Sequence, residues 1–112
     1  MATPLNVFKT VTAILSDADT VLHTAPTGFT GIILMAQITN VTTSDAQVTF
    51  SHFKTQGSVQ TELVKDFALP GNDAINAVTG KLILEDGDSV KGFASANDTL
   101  KITLSVLESL NA

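Results

Sequence analysis

The sequence predicts an all-β fold, a single antiparallel β-sandwich or jelly roll of about eight strands. Three observations lead there. Sixteen of the 112 residues are threonine, joined by many valines and isoleucines, and β-branched side chains fit a pleated surface better than a helix. Apolar residues alternate with polar ones at period two, most clearly where Leu100, Ile102, Leu104 and Val106 interleave with Lys101, Thr103 and Ser105. Turn-forming clusters also punctuate these runs at a spacing of roughly 8–12 residues, the rhythm of a sandwich.

The elements follow in order. A first strand is expected over 7–15 and a second over 20–24, closed by the proline-glycine turn Ala25-Pro26-Thr27-Gly28. The third, over 31–41, begins apolar on both faces and so reads as a central strand covered on both sides or lying at an interface. Val48 and Phe50 alternate with Gln47, Thr49 and Ser51 in a strand over 46–54, and another is expected over 59–69 before the breaker Leu69-Pro70-Gly71-Asn72-Asp73. The segment 72–79 suits either one short helical turn capped by Asn72 or Asp73, or a wide loop. Strands over 80–85 and 89–95 flank Glu85-Asp86-Gly87-Asp88, and a hairpin connection at Ala96-Asn97-Asp98-Thr99 leads into the last strand, 100–107. The residues from Leu107 onward are expected to fray. Residues 1–15 form an N-terminal arm and first strand and residues 16–112 the sandwich, one domain overall. Its core is drawn from Val48, Phe50, Leu82, Leu84, Leu100, Ile102 and Leu104.

Composition narrows function by exclusion. Apolar residues make up 44% and charged residues 15%, which excludes disorder. There is no cysteine, so disulfides, thiolate metal sites and thiol chemistry are excluded. Six scattered lysines, no arginine and a formal net charge of −5 argue against nucleic acid and against an anionic membrane surface. The longest apolar run, Ile32–Ala36, is far too short for a spanning helix, and the start carries no secretion signal. Asn40-Val41-Thr42 and Asn97-Asp98-Thr99 match the glycosylation pattern, but without that signal no glycan is expected.

Catalytic candidates are few. His23 and His52 are the only imidazoles, and each reads as a strand histidine that bonds a neighbour or meets solvent. Asp17-Ala18-Asp19 and Asp86-Gly87-Asp88 read as solvated turns rather than calcium sites. No nucleophile elbow or phosphate-cradling loop is present, so neither catalysis, cofactor nor metal is expected. Glycan stacking is disfavoured because the chain has neither tryptophan nor tyrosine. Sparse charge and two-sided apolar strands instead suggest surface that meets another protein.

The order of segments resembles a group of small tailed-phage virion proteins, especially those of cyanobacterial viruses. The resemblance rests on Thr20-Val21-Leu22 leading into Ala25-Pro26-Thr27-Gly28, an apolar strand from Ile32 to Thr43 ending in an Asn-x-Thr stretch, and Leu69-Pro70-Gly71. It continues through Leu82–Val90 to Ala94-Ser95-Ala96 and the final strand from Leu100 to Glu108, covering most of residues 20–108. It implies a β-sandwich made in the host cytoplasm and carried in the virion, most simply a capsid-decorating (cement) protein that stabilises the shell through contacts with the major capsid protein. A neck, tail or baseplate component, or a host-surface glycan-binding adhesion module, are the alternatives. It implies a homo-oligomer, with a trimer expected from threefold shell positions, and no catalytic residues. Leu5, Val7 and Phe8, apolar in a segment with few charges, are the candidate protein-interface residues.

Overall fold

The computed structural model describes residues 6–111. It contains nine strands and, among the described residues, no helix: β1 (Asn6–Ile14), β2 (Thr20–Thr24), β3 (Phe29–Asn40), β4 (Ala46–Lys54), β5 (Val59–Leu69), β6 (Ala74–Asn76), β7 (Leu82–Leu84), β8 (Ser89–Ala94) and β9 (Leu100–Leu110). All strand pairs are antiparallel and they are nested. β1 pairs with β9, β2 with β8, β3 with both β6 and β7, and β4 with β5. The chain is thus one long hairpin folded at β4–β5 and then rolled up. Rolling adds the pairs β3·β9 and β4·β8 and splits the hairpin into two sheets. Sheet A runs β1-β9-β3-β6, with β7 also on β3; sheet B runs β2-β8-β4-β5. This is the topology of a jelly roll.

The expected core is where the structure puts it. Val48, Phe50, Leu84, Leu100, Ile102 and Leu104 are buried, and Leu82 packs against them while half-buried. Ile33, Ile38, Leu69, Val90 and Val106 complete the layer between the sheets. β3 shows why its sequence reads as apolar on both faces. Its register against β9 shifts between Ile33 and Met35, so the inward positions change from Gly31 and Ile33 to Ala36, Ile38 and Asn40. Ile32, Leu34 and Met35 are left only half-buried.

Three expected features differ. Residues 96–99 form not a hairpin connection but a crossover between the sheets, because β8 pairs with β2 and β4 in sheet B while β9 pairs with β1 and β3 in sheet A. The segment 72–79 forms neither a helical turn nor an open loop. Ala74–Asn76 adds a short strand to β3, with Ala74, Ile75 and Asn76 opposite Thr39, Ile38 and Gln37. Asn76 Oδ1 also accepts the Ala36 N–H at 3.0 Å, so one side chain supplies what a longer ladder would have supplied. The end of the chain does not fray at 107. β9 keeps its alternation to Leu110 and turns Glu108 inward, 3% exposed.

Candidate assembly surface

Imidazole–carboxylate pairs are the first place to look for chemistry. His23 on β2 and His52 on β4 lie on either side of Val90 on the inner face of sheet B. Of the two expected settings for a strand histidine, a bonded neighbour or solvent, both lie nearer the first, since each meets a buried carboxylate. His23 Nε2 is 3.1 Å from Glu108 Oε2, and His52 Nε2 is 3.5 Å from Asp88 Oδ2. Neither pair is aligned as a hydrogen bond. Lys9 Nζ reaches Glu108 Oε1 at 2.7 Å, linking β1 to β9 beneath the sheet. Among the described residues no nucleophile converges on either imidazole: Ser51 neighbours His52 in sequence but faces the other side of β4. Among the described residues, no three histidine, aspartate or glutamate side chains gather as a metal would require.

Asp88 departs from the expected solvated turn. It is 2% exposed, and its carboxylate accepts the N–H groups of Thr55 and Glu85, both at 3.1 Å. Asp86 accepts the Gly28 N–H at 2.8 Å, while Ala25 donates to the Asp88 carbonyl at 2.8 Å. These carboxylates fasten three turns at one end of the sandwich. Asp17 and Asp19, by contrast, lie in an exposed turn.

Asn40, the first candidate glycan acceptor, is fully buried at the opposite end. Its Nδ2 donates to the carbonyls of Ser44 at 2.8 Å and Leu69 at 2.9 Å. Its Oδ1 accepts the N–H and hydroxyl of Thr42 at 2.9 and 2.7 Å. The amide is spent on holding loops together, and the folded chain offers no room for a sugar there. Gly71 packs into the same corner, where an added Cβ would lie 2.5 Å from the Thr43 backbone.

What remains is surface. The two sheets present different outer faces. β5 of sheet B exposes Glu62, Lys65 and Asp66, and Lys91 on β8 is bound to Asp19 at 3.3 Å and stacked on Phe53 at 5.4 Å. On sheet A the outward residues of the paired strands carry a single charge, Lys101. Register lines up an apolar row across that face. Phe8 on β1 is opposite Leu107, Leu107 opposite Ile32, and Ile32 opposite Ile83 on β7. Phe8 is 75% exposed and Ile83 50%, at the two ends of the row, with Leu107 and Ile32 half-buried between them. A concavity of about 260 Å³ beside Phe8 extends the row to Leu34. Of the flanking rows, Thr10–Ser105–Met35 on one side is polar until it reaches β3, and Asn6–Ser109–Thr30 on the other is polar throughout.

The predicted interface residues therefore separate. Phe8 points outward into the apolar row. Val7 is half-buried on the inward side of β1, and Leu5 lies outside the described residues. Sequence reasoning marks the strand 31–41, which contains Ile32, as covered on both sides or lying at an interface, but it does not find Leu107 or Ile83, because only the strand register brings them into line with Phe8.

No protein-family profile matches the chain, and no curated protein matches it in sequence. Its fold is similar to that of solved structures at low identity. One is a chain from the acid-stable capsid of Helicobacter pylori bacteriophage KHP30. It is 13% identical with a TM-score of 0.56, covering 99% of this chain and 92% of that one. Another comes from Bacillus endospore appendages, described as a family of disulfide-linked pili. It is 10% identical, also with a TM-score of 0.56, covering 96% of this chain and 88% of that one.

Proposed function

We propose that this chain is a structural component of a tailed-phage particle, a capsid-decorating protein that attaches to the shell through the outer face of sheet A. The observation that carries the reading is the apolar row Phe8–Leu107–Ile32–Ile83 on a face with one charge. A sheet face of this kind is poorly solvated and binds protein rather than nucleic acid. Fold similarity along nearly the whole length of a phage capsid chain supports it, as does the order of turns shared with small virion proteins. In this reading the mechanism is additive and non-enzymatic. Each copy buries a modest apolar area, and many copies on one lattice turn weak contacts into firm attachment. Leu5 and Phe8 belong to the contact, the major capsid protein is the partner, and the copies associate with one another.

The test is to add purified protein to particles that lack it and to image them. Density repeated over the shell, lost with Phe8→Asp or Ile83→Asp in variants that still fold, is the expected outcome. A few copies confined to the neck or tail would move the protein to those parts, and absence from particles would sink the reading.

A further inference from the structure

An open sandwich has free strand edges, and native proteins blunt them by shortening, bulging or charging the strand. Three of the four edges here are treated so. On one side of sheet A the edge consists of β6 and β7, three residues each. β2 has five residues, and its register shifts between Val21 and His23. β5 is long, but its register against β4 shifts twice, Asp66 sits at φ 47°, and it carries Glu62, Lys65 and Asp66. β1 is the exception. Its nine residues pair with β9 without a single shift, contain no proline, and include one charge, Lys9, which is held inward by Glu108.

We infer that the free edge of β1 is the self-association site, pairing antiparallel with β1 of a second copy about a twofold axis. The occupant follows from counting edges. A head-to-tail ring needs two different competent edges on each chain, whereas a chain with one can satisfy it only with the same edge of a partner. Charge agrees: the outer face of β1 is uncharged from Asn6 to Ile14, so a chain of net charge −5 brings no like charges together there. The apolar row sets the register. Placing Phe8 opposite Phe8 of the second copy pairs residues 6–10 of the two β1 strands and joins the two rows end to end, from Ile83 of one copy to Ile83 of the other. Aromatic pairs directly across antiparallel strands are favourable contacts. The pairing extends sheet A sideways and leaves its outer face open, so the doubled row remains available to a third surface.

The absence of cysteine makes the test clean. Directly opposed residues in an antiparallel pair sit within disulfide range, so Phe8→Cys should close an intermolecular disulfide under mild oxidation, well ahead of Thr10→Cys and Ile83→Cys. Light scattering on the unmodified protein should give twice the chain mass of 11.7 kDa. Phe8→Lys should give a monomer with an unchanged far-UV spectrum and an unfolding midpoint equal to that of the parent protein diluted until it dissociates. A monomeric, trimeric or pentameric parent protein overturns the proposal. So does a Phe8→Lys variant that remains dimeric, or faster closure at Thr10 or Ile83 than at Phe8.

Discussion

Asn40 and Glu108 are both buried polar side chains facing inward, one at each end of the sandwich, and they are supported in opposite ways. Asn40 is neutral and saturated, with both amide hydrogens donated and its oxygen accepting twice. Glu108 is bound through Oε1 to a lysine that is 47% exposed, while its Oε2 faces His23 without an aligned hydrogen bond. The neutral node joins backbone groups of two loops and is geometrically rigid. The charged node joins side chains of β1, β9 and β2, and one member can swing into water. Buried polar groups stabilise in proportion to how completely they are satisfied, not to how many charges they bring.

Substitutions can break that contrast. The largest effect is expected at the saturated end. Asn40→Asp replaces two donors with acceptors that face the carbonyls of Ser44 and Leu69, and should cost about 3–5 kcal/mol, read as a fall in denaturant midpoint. Gly71→Ala, which forces a Cβ against the Thr43 backbone in the same corner, should cost about 1–3 kcal/mol by the same measurement. At the charged end the expectation is an asymmetry. Lys9→Met strands Glu108 beside His23 and should cost about 2 kcal/mol. Glu108→Leu leaves a lysine that solvent can reach, so its effect should stay within about 1 kcal/mol and can be stabilising. Equal losses from the two would show that the ion pair itself, rather than the buried carboxylate, governs that end. Phe8→Ser sharpens the comparison as a control outside both nodes, with less than about 0.5 kcal/mol expected in dilute, dissociated protein.

How far the sequence foretold these features depends on whether their partners are local. The strands at 20–24, 46–54 and 59–69 match the structure residue for residue, because alternation and flanking turns are both written locally. β6 was hidden because three residues cannot show a period, and its strand geometry is imposed by β3. The end of β9 was hidden by Glu108, which breaks an apolar alternation. Its acceptability at an inward position rests on Lys9 and His23, which lie about 100 and about 85 residues away in the chain, and no spacing rule pairs them. Phe8 was legible as an apolar side chain in a segment with few charges. The row it belongs to was not, since that requires the register of three strand pairs.

The nested pairing also sets an order in time. β1 is synthesised first, yet its partner β9 lies about a hundred residues downstream, so β1 must wait for nearly the whole chain before its inner edge is satisfied. Closing so long a loop is slow, and topologies dominated by distant pairings fold in roughly milliseconds to seconds rather than microseconds. During that interval β1 offers two open edges instead of one. Newly made chains at high local concentration would then exchange first strands before each closes on its own last strand, and the yield of properly closed subunits should fall with the rate of synthesis.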